Sequence, residues 1–289
     1  MNAGNSYHPS PSRPKLTLPP GACDAHFHIF GPQSRFPYPE GVRFRPPDAP
    51  KEAMFALHER LGIQSGVIVQ SGCHGFDNRV VADAMADRPG AYKGVALLPP
   101  DVEMATLREM DAQGFCGVRF SFIAHLMQAA TPQQALEFAA RLAEIGWHLQ
   151  VYFHAERIDE ILSVLKDSPV PVVIDHMGRL DAGLGLDQPG YRSLLAAMEN
   201  EHFWVKVSGA DRVTRTGPPY ADGAAMARDL VARFPDRVVW GSDWPHPNHE
   251  GPVPDDGALV DLLAEIAPSA AALQKLMVDN PKRLYGVHV

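Results

Sequence analysis

The feature that most constrains the fold of this chain is a regular alternation of short apolar runs with amphipathic stretches, beginning at Gly21. The apolar runs are rich in β-branched and aromatic residues, which is typical of strands buried on both faces. They predict eight strands, at Cys23–Ile29, Ser65–Gln70, Tyr92–Leu98, Gly117–Phe120, His148–Phe153, Val170–Asp175, Phe203–Val207 and Arg237–Gly241.

Between these runs, apolar residues recur at spacings of three and four, which predicts helices with one buried face. The helix at Pro132–Ile145 has a clear start, because Thr131 can cap it, Pro132 suits the first position, and Gln134 completes a capping box. Another helix, at Asp159–Lys166, ends shortly before a proline. Further helices are predicted at 51–62, 78–87, 102–113, 188–200, 222–234, 256–266 and 269–278.

Eight strands with intervening helices predict an α/β fold, a single-domain (β/α)₈ TIM barrel over residues 21–289. An open doubly wound sheet usually carries a glycine-rich phosphate loop after its first strand, and the segment 24–28 reads DAHFH instead. Residues 1–20 are rich in proline and serine, and we expect an extended N-terminal tail there.

Composition excludes several classes of function. The formal net charge is -8, so neither nucleic acid nor an anionic membrane is an expected partner. An odd number of cysteines, 3 in all, without CxxC spacing predicts reduced thiols in a cytoplasmic protein. The first residues lack a signal-peptide core, and no apolar run is long enough to span a membrane. The oligomeric state stays open.

Polar residues follow the first, sixth and eighth predicted strands. His26 and His28 end the first, His176 follows the sixth, and Asp243 follows the eighth. The C-terminal ends of all barrel strands open onto one face, so these side chains are expected to converge. Alternation along a strand also places His26 and His28 on the same side. The sequence therefore predicts one cavity holding three histidines and a carboxylate.

Such a cluster suits two kinds of carbonyl chemistry. The four residues could bind a divalent metal, zinc or manganese, which polarises a carbonyl and activates water. Alternatively the histidines could bind the carbonyl oxygen directly while Asp243 takes a proton from water. The residues alone leave both open. A purely structural role is disfavoured, because grouping these polar side chains costs desolvation energy.

Five longer motifs carry a resemblance to a known family: DAHFHIFGP, VIVQSGCHG, GVRFSF, VIDHMGR and WGSDWPHPN, followed by a C-terminal NPKRLY. In this order they resemble the amidohydrolase superfamily, in the branch called amidohydrolase family 2, and within it the lactonases of 2-pyrone-4,6-dicarboxylate. The resemblance spans about residues 19–285. It implies a (β/α)₈ barrel, with His26, His28 and His176 around a lactone carbonyl and Asp243 as general base. It favours no required metal, although many superfamily members bind zinc or manganese.

The resemblance also implies a set of substrate-binding residues. Arg119 and Arg212 match arginines that grip substrate carboxylates, which a planar guanidinium can bind through two parallel hydrogen bonds. Tyr152 matches a tyrosine that touches the substrate. Further expected pocket residues are His74, His125 and Asn248.

Three positions depart from the pattern of these lactonases. His125 stands in place of an arginine, Gly72 in place of a serine and Phe44 in place of a tyrosine. We therefore expect a hydrolase of a small anionic lactone in aromatic catabolism, acting on the pyrone dicarboxylate or on a related muconolactone, sulfomuconolactone or sugar-acid lactone. The alternatives are a lactone isomerase, a metal-dependent decarboxylase and a non-catalytic ligand-binding barrel.

Overall fold

All eight predicted strands are present in a computed structural model, which describes residues 7–123, 130–249 and 251–288. They form one parallel sheet in chain order, each strand pairing with the next. The (β/α)₈ prediction is thus confirmed. The strands are β1 Cys23–Phe27, β2 Ser65–Val69, β3 Tyr92–Ala96, β4 Phe115–Ser121, β5 His148–Tyr152, β6 Val172–Ile174, β7 Phe203–Lys206 and β8 Val238–Val239.

Backbone hydrogen bonds join β1 to the segment after β8 and so bring the two ends of the sheet together. Ala25 N–H donates to the Trp240 carbonyl at 2.8 Å, and His28 N–H donates to the Trp244 carbonyl at 2.7 Å. Asp243 N–H donates to the His26 carbonyl at 2.8 Å. This seam fixes the Asp243 backbone directly beside the two histidines of the first strand.

The predicted helices are present, with small differences at their ends. The capping box at Thr131 is formed. The Thr131 hydroxyl accepts a hydrogen bond from Gln134 N–H at 3.2 Å, and Thr131 N–H donates to the Gln134 side chain at 2.8 Å. The helices are α1 Lys51–Leu61, α2 Arg79–Ala86, α3 Met104–Ala112, α4 Pro132–Ala143, α5 Ile158–Leu165, α6 Pro189–Met198, α7 Ala210–Val213, α8 Ala221–Arg233, α9 Asp256–Asp261, α10 Leu263–Ile266, α11 Ala270–Gln274 and α12 Asn280–Tyr285.

Two of the predicted helices differ in detail. The one predicted at 256–266 is divided into α9 and α10, and the one predicted at 269–278 runs from α11 through a π-helical turn, Lys275–Asp279, into α12. No helix in the described residues is both long and apolar enough to cross a bilayer. Of the segment 1–20, the described part contacts α9, since Leu16 N–H donates to Asp261 at 2.9 Å.

An irregularity in β1 determines which of its side chains face the barrel interior. Its register against β2 shifts between Asp24 and Phe27. Phe27 consequently packs outward against His58 of α1, whereas His26 contacts the interior Lys206. Such bulges re-aim side chains and are common beside active sites. The shift brings His26 and His28 to the same side of the strand, where both rings contact Asp243.

Candidate active site

The structure brings the four predicted catalytic side chains together at the C-terminal end of the barrel. The Nε2 atom of His28 lies 3.2 Å from Asp243 Oδ1, and that of His26 lies 3.5 Å from the same oxygen. The Nε2 atom of His176 lies 3.9 Å from Asp243 Oδ2. All four residues are buried. Asp243 is therefore the common partner of three imidazoles.

Two of these residues have left-handed backbone conformations, which non-glycine residues seldom adopt. His176 has a φ of 47° and Asp243 a φ of 59°, and each costs about 1–2 kcal/mol. Asp24 stabilises the backbone conformation of Asp243 through the preceding residue. Its carboxylate accepts hydrogen bonds from the Ser242 N–H at 3.0 Å and from the Ser242 hydroxyl. Strain held in this way by surrounding bonds is typical of functional sites.

A hydrogen bond on the far side of the ring fixes the Nδ1 hydrogen of His28, and a similar contact orients the His176 ring. Since a carbonyl can only accept, His28 Nδ1 carries the hydrogen that it donates to Val69 O at 2.7 Å. Its Nε2 lies 3.2 Å from Asp243 Oδ1, and a hydrogen bond there requires the imidazolium form of His28, with a hydrogen on both nitrogens. His176 Nδ1 lies 2.9 Å from the Ser208 hydroxyl. If that hydroxyl donates, Nε2 of His176 carries its hydrogen into the site.

Asp243 is a carboxylate held in its ionised form. Burial alone would raise its pKa, but the Arg212 guanidinium outweighs burial and holds the pKa well below its ordinary value. Arg212 Nε donates directly to Asp243 Oδ2, and its Nη1 donates to Pro247 O at 3.0 Å. Burial lowers the pKa of His176 to about 4, so its ring is neutral at neutral pH.

A polar network beneath the histidines was not predicted from the sequence. Asp175 accepts hydrogen bonds from Arg119 Nε and Gln150 Nε2, both at 2.8 Å. Lys206 donates to Gln150 Oε1 at 2.9 Å and lies 3.6 Å from Asp175 Oδ1. The sequence does contain one feature that indicates this network, a lysine inside the otherwise apolar strand sequence FWVKV. Lysine is rarely buried without partners.

The candidate site opens into a cavity of about 510 Å³. Arg119 lies over the Tyr152 ring, with its guanidinium carbon 4.4 Å from the ring centre. Arg179, which the sequence analysis did not assign to substrate binding, lies 5.3 Å from the same ring centre and also lines the cavity. The predicted site residues that line the cavity are His28, Arg119, Tyr152, His176, Arg212, Asp243 and Asn248.

Three predicted site residues lie elsewhere or are not described. His26 is fully buried and lies below the cavity floor, in contact with Asp243. His74 is also buried, with its ring centre 4.9 Å from that of Tyr38, and it is not among the residues that line the cavity. His125 lies outside the described residues. Arg43 and His154 line the cavity and were not predicted to bind substrate.

The donor atoms suit a divalent metal in type and spacing, but their electrostatic surroundings do not. His26, His28 and Asp243 each offer one atom within 4.8 Å of the others, which is a set that zinc accepts. However, Asp243 already pairs with Arg212, and Lys206 lies 3.2 Å from His26 Nδ1. A divalent cation would add two positive charges beside these two cations. The residues therefore do not fit a bound metal.

Buried neutral histidines predict that the fold loses stability in mild acid. Burial lowers the pKa of His148 to about 3 and that of His176 to about 4. In the unfolded chain both histidines have the ordinary pKa of 6.5 and become protonated below that pH. Their contribution is therefore complete above that value and falls as the pH decreases. Each should cost about 2 kcal/mol of unfolding free energy between pH 6.5 and 5. Urea denaturation at pH 7 and pH 5 measures this loss, and equal unfolding free energies would contradict it.

The chain is similar over most of its length to named lactone hydrolases. The chain is 42% identical over 288 residues to a 2-pyrone-4,6-dicarboxylate hydrolase of Comamonas testosteroni, covering 96% of this chain and 94% of that protein. It is 38% identical to a 4-sulfomuconolactone hydrolase of Hydrogenophaga intermedia, covering 98% and 94%. A solved structure from Agrobacterium tumefaciens superimposes with a TM-score of 0.85 at 28% identity, covering 95% of this chain and 99% of that one.

The match to a family model extends over nearly the whole barrel. The model describes amidohydrolases and matches residues 23–287, which include all eight strands and all four residues of the histidine and aspartate cluster. This agrees with the resemblance that the DAHFH and WGSDWPHPN motifs carry. The chain belongs to the amidohydrolase family, in the branch called amidohydrolase family 2.

Proposed function

We propose that this protein is a hydrolase that opens a small anionic lactone of the 2-pyrone-4,6-dicarboxylate type. The observation that carries the proposal is an ionised, buried Asp243 beside three imidazoles, at the floor of a cavity lined by arginines. Relatives named as hydrolases of two acidic lactones support it over most of the chain.

The reaction follows from the positions of the polar atoms. Asp243 takes a proton from water as the water oxygen bonds to the lactone carbonyl carbon. His176, with its hydrogen on Nε2, donates to the oxygen that gains negative charge, and His28 does so in its imidazolium form; both Nε2 atoms lie beside Asp243. When the carbonyl re-forms, the ring carbon–oxygen bond breaks, and the leaving oxygen takes the proton from Asp243. The product is an open acid, and Asp243 is again a carboxylate.

Two groups of cations are placed to bind the acidic groups of the substrate. Arg212 reaches the cavity beside Asp243, and Arg119 and Arg179 reach it close to the Tyr152 ring. Arg43 lines the same cavity. An anionic ring stacked near Tyr152 would meet guanidinium groups, which bind carboxylate and sulfonate oxygens alike.

A sulfonated muconolactone is the second candidate substrate. The 4-sulfomuconolactone hydrolase is nearly as similar to this chain as the pyrone dicarboxylate hydrolase. The cavity also presents Phe44 and Gly72, which lack the hydroxyl groups expected where the pyrone lactonases carry tyrosine and serine. With these hydroxyl donors missing, and with His125 in place of an arginine, a lactone that carries a sulfonate in place of a carboxylate is an equal candidate.

We expect hydrolysis to need no added metal, because Arg212 and Lys206 already supply positive charge at Asp243 and His26. The experiment is an acid-release assay on pyrone dicarboxylate, muconolactone, sulfomuconolactone and a sugar lactone, with and without EDTA. The expected result is acid release from at least one anionic lactone at an unchanged rate in EDTA. Activity that EDTA abolishes and zinc or manganese restores would contradict the metal-free proposal.

The same assay separates the other functions considered. A lactone isomerase would consume substrate without releasing acid, and a metal-dependent decarboxylase would release carbon dioxide and lose activity in EDTA. A binding barrel would bind a lactone without turnover at any pH. Each of these results would reject lactone hydrolysis.

A further inference from the structure

Lys206 is a buried ammonium group with three hydrogen-bond acceptors around it. It lies at the end of β7 with no exposed surface. Its Nζ donates to Ala25 O at 3.0 Å and to Gln150 Oε1 at 2.9 Å, and it lies 3.2 Å from His26 Nδ1. An ammonium group has three protons and no lone pair. The three acceptors therefore match its three donors.

The contact with His26 fixes the position of the ring proton. A neutral imidazole carries one hydrogen, and its other nitrogen accepts. Since Lys206 can only donate, His26 Nδ1 is the accepting nitrogen and Nε2 carries the hydrogen. That nitrogen is buried, lies 3.5 Å from Asp243 Oδ1 and makes no hydrogen bond among the described residues, so the carboxylate is the acceptor nearest to its hydrogen.

We propose that Lys206 is a positioning residue that holds His26 as an Nε2–H donor directed at the Asp243 carboxylate, and thereby prevents His26 from binding a metal. This inference rests on the proposed role of Asp243 as the base. It explains how a cluster with the donor atoms of a metal site can operate without the metal.

Asp175 is the competing partner of His26 Nδ1, because its Oδ1 lies 3.3 Å away. If Asp175 accepted a hydrogen from Nδ1, the Nε2 lone pair would be available to a metal, as in histidines that ligate zinc. The carboxylate already accepts from Arg119 and from Gln150. An Nδ1–H group would also point a hydrogen toward the Lys206 ammonium. The two donors would then oppose each other, which favours Nδ1 as acceptor.

The protonated nitrogen has a direct consequence for Asp243. An Nε2–H group of His26 stabilises the ionised carboxylate from below, where no substrate reaches. His28 and Arg212 contact the same carboxylate from the cavity side. When Lys206 is lost, His26 is free to turn its hydrogen toward Asp175, and Asp243 loses a donor while the cluster gains a metal-binding lone pair.

The first test needs no variant. Nitrogen-15 NMR of the wild-type protein, labelled on histidine, distinguishes a protonated Nε2 from a protonated Nδ1, and His26→Gln identifies the His26 signals by their loss. We expect the hydrogen of His26 on Nε2. A hydrogen on Nδ1 would overturn the proposal. Because this result does not depend on turnover, it is separate from the failure of the proposed hydrolase function.

The second test replaces the ammonium by an apolar group of similar length. Lys206→Met should lower kcat by about 10- to 100-fold with little change in KM, since a donor to the reacting carboxylate is lost. It should also shift the His26 hydrogen toward Nδ1 and retain more zinc after dialysis than the wild type. Lys275→Met, which removes an exposed ion pair with Asp236, is the control and should match the wild type. An unchanged His26 tautomer and unchanged zinc content in Lys206→Met would overturn the proposal.

Discussion

Replacing Asp243 by asparagine is expected to lower kcat by about 10²- to 10⁴-fold, the range that general-base groups usually contribute. The amide keeps the shape of the side chain but cannot take a proton from water. Arg212 and His28 would remain in place around the amide oxygen, so the cavity should persist. Steady-state kinetics on the lactone that the wild type hydrolyses fastest measures the effect.

Asp236→Asn provides the matched control for this substitution. Asp236 is an exposed carboxylate paired with Lys275, and it precedes β8 whereas Asp243 follows that strand; its loss should leave kcat unchanged. A kcat for Asp243→Asn above about a tenth of the wild-type value would show that Asp243 is not the general base.

Replacing Arg212 by methionine is the second change with a large expected effect. Arg212 holds Asp243 ionised and also lines the cavity, so its loss should weaken substrate binding and the base together. We expect kcat/KM to fall by about 10²-fold or more, because removing one partner of a buried ion pair typically costs about 3–5 kcal/mol. The kinetics should be measured from pH 4 to pH 8.

The pH profile distinguishes this role from simple loss of binding. In the wild type the pKa of Asp243 lies well below its ordinary value, with Arg212 as the largest favourable influence. The base is therefore ionised at pH 5 and above, and activity falls only in stronger acid. Without Arg212, burial raises that pKa and the acid limb should move to higher pH. Arg215→Met, which removes an exposed pair with Asp181, should leave both rate and profile unchanged, and an unshifted limb in Arg212→Met would contradict the account.

The barrel and the cluster of three histidines and an aspartate follow largely from the sequence. Each buried strand appears as a short apolar run, and in a parallel barrel the residues just after each strand must meet at one end. His26, His28, His176 and Asp243 therefore converge, although the chain between the first and last spans more than 200 residues. Strand position and alternation were enough to predict that these residues meet, although the shift in β1 is what turns His26 inward.

The supporting network could not be predicted in the same way. Lys206 and Gln150 lie within strands, and which residues they meet across the barrel depends on the stagger of the sheet. The shift in β1 decides that His26 faces Lys206, and it leaves no mark in the alternation of apolar residues. Arg179 reaches the cavity through a turn with a left-handed φ of 54°, a conformation that its residue type does not suggest.

The most direct test of the central claim is a single turnover in water enriched in oxygen-18. If Asp243 activates water for attack on the lactone carbonyl, the ring-opened product should carry one labelled oxygen per molecule, in the newly formed carboxylate. Asp243→Asn should form this product far more slowly. A product without label, formed at the full wild-type rate, would contradict hydrolysis at this site.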